Sequence, residues 1–241
     1  MLSFQPSTLP ISTSQIYKPS QPRQLLPQIE RSSNIQVSSD SHPLNWIAKA
    51  RACYANNAAL KAHSQGKMAQ AEKGYHTALA LYKKAYGENH PYSASVLYNL
   101  ADLYHAEQRY PEAEQYYWQA YRLEKANYGD THPRTIQTMQ NLAALYHDTN
   151  RPNEAKVKYL QIVEAQNRAL PQDNSAIATT HGDLAALLHE QGDYENAKNQ
   201  YNQAISLFQQ LANSAEIERI QQNLAQLEEQ HRSHLKKAGD K

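Results

Sequence analysis

Residues 103–114 read LYHAEQRYPEAE, and residues 145–156 read LYHDTNRPNEAK. Related phrases stand at 61–72 (KAHSQGKMAQAE) and 187–198 (LLHEQGDYENAK), so His63, His105, His147 and His189 recur at a 42-residue period. A fixed period of roughly 20–50 residues marks a repeat architecture. The second copy displays the grammar. Pro91 stands at a helix start, where its missing N–H would be unpaired anyway. The run YSASVLYNLADLYHAEQ places Val96, Leu97, Leu100, Leu103 and Tyr104 on one helical stripe. Arg109 and Tyr110 are expected to turn the chain. PEAEQYYWQAYRLEKANY follows, with Ala113, Tyr117, Ala120 and Tyr121 on a second stripe, and Gly129 is expected to end it in an αL conformation. His132-Pro133 then begins the next unit as His90-Pro91 began this one. Each helix–turn–helix unit is too thin to bury its own apolar faces, so the units must stack.

The pattern Leu97-x2-Leu100-Ala101-x2-Tyr104, then Ala113-x3-Tyr117 and Ala120, resembles the tetratricopeptide repeat. Matching positions are Met139, Leu142, Ala143, Tyr146, Ala155, Tyr159 and Ile162 in the third unit. In the fourth they are His181, Leu184, Ala185, Leu188, Ala197, Tyr201 and Ala204. The first unit contributes Tyr54, Ala58, Ala59, Ala62, Ala71, Tyr75 and Ala78. The common repeat is about 34 residues long; this one is 42, and the junctions YGENHP and YGDTHP resemble the kinesin light chain type. The resemblance implies an all-α, right-handed superhelical array. Units are expected at about 44–86, 87–128, 129–170 and 171–211. The junction LPQDNS before the fourth lacks both the glycine and the His-Pro. Residues 212–241 hold Ile217, Ile220, Leu224 and Leu227 at helical spacing, as a capping helix and polar tail would, because a solenoid needs a solvating end.

Residues 1–43 differ in texture. They are rich in Ser, Pro and Gln, and bury too little apolar surface to offset the entropy of ordering. A disordered tail is expected; a Ser-rich, acid-poor targeting leader is the alternative. Lys+Arg total 24 against 23 Asp+Glu, a net charge of +1 that argues against phosphate-driven nucleic-acid binding. No apolar run approaches the ~20 residues of a membrane span. One cysteine, Cys53, excludes an internal disulfide and fits a reducing compartment, so a cytoplasmic location is expected. Seventeen tyrosines against two phenylalanines suit thin helical layers whose core lies near water.

No P-loop, G-x-G-x-x-G, Cys-x-x-Cys or H-E-x-x-H signature occurs, so neither catalysis nor a cofactor is expected. The resemblance implies instead a non-catalytic scaffold that holds a peptide or protein in a concave groove lined by first helices. One implied groove column is Asn57, Asn99, Asn141 and Asp183; an amide offers both a donor and an acceptor to an extended backbone, or, as the alternative, to a neighbouring helix. A second is His63, His105, His147 and His189, for which the alternative is a polar residue inherited by duplication. Adjacent helices stack roughly 8–10 Å apart, whereas zinc requires imidazole nitrogens at about 2.0–2.1 Å, so no metal is expected. Tyr98, Asp102, Gln140 and Glu190 complete the expected lining, with Asn56, Gln137 and Asp148 beside them. These columns contain acids and no lysine or arginine, so the expected partner is neutral or basic rather than acidic. With the four histidines neutral near pH ~7.5, a basic partner is expected to bind less tightly as they protonate toward pH ~5.5. A structural or assembly subunit docking through its outer surface is the alternative.

Overall fold

The computed structural model describes residues 43–169 and 173–239, all helix and short turns. The expected tail lies outside the described residues except for Pro43, which opens the first helix. In order the helices are α1 (Pro43–Ser64), α2 (Met68–Tyr86), α3 (Pro91–Ala106), α4 (Tyr110–Tyr128), α5 (Pro133–Asp148), α6 (Pro152–Arg168), α7 (Asn174–Glu190), α8 (Tyr194–Gln210) and α9 (Ser214–Gly239). Tyr110 therefore belongs to a helix rather than a turn, since Pro111 behind it suits a first helical turn. Each helix packs on its neighbours in the chain, and α9 lies on α8 with a short contact to α7. The result is an all-α superhelical array of helical hairpins.

Small residues set the approach of the two helices in a hairpin. Ala59, Ala101, Ala143 and Ala185 are all buried, as are Ala71, Ala113, Ala155 and Ala197 on the second helices. Tyr75, Tyr117, Tyr159 and Tyr201 fill the space beside them. In the first hairpin the approach is close: a Cβ on Gly74 would stand 2.8 Å from that of Ala59. Tyr54, expected in the apolar column, is instead 77% exposed. Its neighbour Ala55 packs against the core, because the position 42 residues before Leu97 is 55, not 54.

The turns repeat as faithfully as the helices. Gly66, Gln108, Asn150 and Gly192 all adopt positive φ (71°, 61°, 56° and 74°) at the tip of their hairpins. Between units, Gly129 has φ 85° and ψ 173°, so it is not in the αL region. That extended, positive-φ region is essentially restricted to glycine, which explains the residue while correcting its expected geometry. His90 and His132 then cap α3 and α5: each Nδ1 accepts the backbone N–H two residues on at 3.2 Å. Their rings stack on Tyr86 and Tyr128, with centroids 4.3 and 4.4 Å apart. In the fourth unit Asp173 takes over, its Oδ1 accepting from the N–H groups of Ser175 and Ala176.

Candidate functional site

The expected groove residues fall on α1, α3, α5 and α7, and the packing divides them. Tyr98 and Asn99 are fully buried, and Asp102 nearly so. Asn141 is 7% exposed; its amide donates to the hydroxyls of Tyr98 (2.9 Å) and Tyr117 (3.2 Å). Tyr117 in turn donates to Asp102 at 3.2 Å. These side chains tie α3, α4 and α5 together. Asn57 and Glu190 are exposed, and Gln140 and Asp183 are half-buried. Asn57 lies 3.6 Å from the sulfur of Cys53 on its own helix.

The histidines form rungs between units. His105 Nε2 meets Asp148 at 2.8 Å, His147 Nε2 meets Glu190 at 2.6 Å, and His189 Nε2 meets Gln230 at 2.9 Å. Each ring thus reaches one first helix ahead, α3 to α5 and α5 to α7, and the last rung uses α9 in the same way. The partner is the residue that follows the histidine in the next copy: His147 is followed by Asp148, and His189 by Glu190. For His63 that place is occupied by Ala106, which cannot bond, and its Nδ1 pairs with the Tyr75 hydroxyl at 3.2 Å in its own hairpin.

These rungs set the charge of the face. Pairing with Asp148 and Glu190 raises His147 to about 9 against the opposing effect of burial. Burial alone would raise the Asp148 carboxyl, but the hydrogen bond from His105 and the charge of the His147 ring, 3.7 Å away, bring it down to about 2. Burial lowers His63, with Asp102 and Glu107 opposing. Burial also pushes Asp183 up to about 7, with Arg219 opposing. The expectation of four neutral histidines near neutral pH is therefore corrected: His147 is already protonated, because it sits between two carboxylates. Among the described residues, no three His, Cys, Asp or Glu side chains group as metal ligands would. No helix among them is long and apolar enough to cross a membrane.

A second set of bonds between units, on the turn edge, was not read from the sequence. Arg109 pairs with Glu72 (3.3 Å), Arg151 with Glu114 (2.6 Å), Asp193 with Lys156 (3.6 Å) and Glu228 with Lys198 (2.7 Å). The two guanidinium groups also lie over the Tyr104 and Tyr146 rings, 4.2 and 4.3 Å from the centroids. The signal was available, since residues 72, 114, 156 and 198 are one 42-residue column. In the Tyr116-Tyr117-Trp118 cluster, Tyr117 is buried and Trp118 donates to the Tyr146 hydroxyl at 3.0 Å. The buried Lys158 ammonium lies 4.4 Å from the Trp118 ring centroid.

Models described as Tetratricopeptide repeat match residues 50–126, 96–168 and 178–210. The chain belongs to the tetratricopeptide repeat family, whose repeats generally mediate protein–protein interaction. Among solved structures, it is similar to BtubC (BKLC) from P. vanneervenii at 21% identity and a TM-score of 0.63, covering 69% of this chain. The match spans 66% of the BtubC chain, just under two thirds. It is also similar to a Podosopora anserina putative kinesin light chain with nearly identical TPR-like repeats, at 20% identity and a TM-score of 0.60, covering 82% of this chain and 98% of that one. A point variant of that protein matches at the same identity and score over 80% of this chain. At these identities the likeness is one of fold. No curated protein matches the sequence.

Proposed function

We propose that this protein is a non-catalytic adaptor, working in the cytoplasm, that holds a neutral or basic peptide or protein segment against the face formed by α1, α3, α5 and α7. Asn57, Gln140 and Glu190, with the half-buried Asp183, supply its polar contacts, while Tyr98, Asp102 and Asn141 hold the helices beneath them in register. The observation that carries the reading is the charge of the three inner helices. Together α3, α5 and α7 hold four acids, Asp102, Asp148, Asp183 and Glu190, against two cations, Arg134 and the protonated His147, so the balance is negative. An acidic segment would meet like charge there, and a basic one would be steered in.

The second reading, a subunit that docks through its outer surface, rests on Val157 and Leu160, which are 51% and 48% exposed side by side on α6. Affinity purification with mass spectrometry separates the two. Asn57→Lys/Gln140→Lys should lose the partners that wild type retains, and Val157→Asp/Leu160→Asp should keep them. The reverse result would transfer the function to the outer surface.

A further inference from the structure

The α1 end of the stack carries a notch of about 440 Å³, lined by Ile47, Arg51, Tyr54 and Ala55 of α1 with Thr77 and Leu81 of α2. Most of that lining is apolar. In the inner units, the places that Arg51 and Tyr54 hold in the first are Ser93 and Val96, then Thr135 and Thr138. All four are fully buried, where α2 and α4 pack on α3 and α5. At the first unit the same places are open: Tyr54 is 77% exposed, and Ile47 nearby is 40% exposed. The notch is the slot that a preceding helix would fill, and no described residue fills it.

The sequence before α1 brings a candidate to this slot. Pro43 stands four positions before Ile47, and 42 residues precede it. At 1.5 Å per residue, the notch from Ile47 to Ala55 lies about 6–18 Å along the helix axis from Pro43. Going back from Pro43, the first three large aliphatic residues within five positions are Leu25, Leu26 and Ile29. Residues 30–42 join them to α1, and a link of that length spans about 43 Å when extended, more than twice the distance needed. A segment so tethered meets the notch at an effective concentration on the order of millimolar. A residue before proline favours an extended conformation, as Leu26 stands before Pro27, and Glu30 carries a charge opposite to that of Arg51.

We infer that residues 25–29 of the same chain dock in this notch and close the open end of the array. Leu25, Leu26 and Ile29 cover Ile47, Tyr54 and Leu81, and Glu30 pairs with Arg51. The test uses the full chain with a benzophenone amino acid in place of Tyr54, a position exposed enough to accept it. On irradiation, a cross-link within the chain to residues 25–30 is expected. Its yield should hold over a roughly hundredfold range of protein concentration, as intramolecular contact requires. A Leu25→Asp/Leu26→Asp/Ile29→Asp chain with unchanged helical circular dichroism should lose it. Absence of that cross-link, or its survival in the triple variant, would overturn the inference. Cross-links between chains that rise with concentration would also overturn it, and would place a second copy in the notch.

Discussion

The two ends of the array solve the same problem differently. At the far end, α9 lays Ile217, Ile220, Leu224 and Leu227 toward the stack, with Ile220 and Leu227 each 1% exposed. Much of the rest of α9, including Gln221, Gln222, Gln226, Glu228 and Glu229, is exposed and polar. At the near end, α1 packs on α2 through its alanines but leaves Ile47 and Tyr54 outward. One end is finished by a helix with a single apolar face; at the other, no described helix covers the apolar surface. The repeat pattern therefore specifies how a unit meets its neighbours but not how the stack stops.

The largest expected effect contrasts two residues in one column. Val96 is fully buried and Tyr54 largely exposed, although they are 42 residues apart in register. Val96→Asp should cost about 3–5 kcal/mol, because it buries a carboxylate without a partner. Tyr54→Asp should cost far less, at most about 1 kcal/mol, because the aspartate can stay solvated even where the N-terminal segment docks. Urea unfolding followed by circular dichroism measures both, and equal costs would erase the distinction between inner and end units. Next comes the cap itself. Leu227→Ala removes a buried side chain and should cost about 2–3 kcal/mol. Hydrogen exchange should show α9 loosening ahead of α3 and α5; uniform loosening would mean that the array unfolds as one block.

The rungs allow a pH test of inner against terminal units. His147 is raised in the folded state, so its contribution is fully present below its unfolded value of about 6.5 and is lost as pH rises through about 9. Asp148 is depressed, so its contribution holds above about 4 and is lost as pH falls through about 2. His147→Gln should therefore cost on the order of 1–2 kcal/mol near pH ~6, shrinking by pH ~10. Gln230→Ala at the terminal rung loses a neutral acceptor, and the deficit should be smaller. Parallel pH profiles for the two variants would show that the His147 rung is not ionic. The smallest effect lies in the turns. End units place Gly66 and Gly192 at the positive-φ position, whereas inner units place Gln108 and Asn150 there. Gln108→Gly should relieve left-handed strain of about 1–2 kcal/mol, offset in part by the entropy of a freer unfolded chain. A net gain of about 0.5 kcal/mol is expected in thermal unfolding.

The hairpins were legible because period and apolar stripe are one-dimensional signals. Leu97, Leu100, Ala101 and Tyr104 announce a helix face without reference to anything distant. The groove was less legible, because side-chain direction depends on a partner in the next unit. Asn99 and Asn141 share a column, yet Asn141 bonds to Tyr98 and Tyr117. The histidine column was read as groove lining, whereas His105 and His147 reach forward to acids 43 residues on. A period of 42 draws attention to like residues in one column, and the contact lies one place off it. The same one-residue offset put Tyr54 in the core on paper and Ala55 there in the fold.

The pairs on the turn edge change polarity along the chain: Glu72 to Arg109, Glu114 to Arg151, then Lys156 to Asp193 and Lys198 to Glu228. Tandem copies of one unit can change in number when one is deleted or duplicated. Deleting the second copy would bring Glu72 to Arg151, and deleting the fourth would bring Lys156 to Glu228, each a matched joint. Deleting the third would bring Glu114 to Asp193, two carboxylates facing each other. Duplicating the third would set Lys156 against Arg151. The copies are thus not interchangeable: the third works as an adaptor between two polarities, and the array can change length by gaining or losing the units on either side of it more readily than by losing that one.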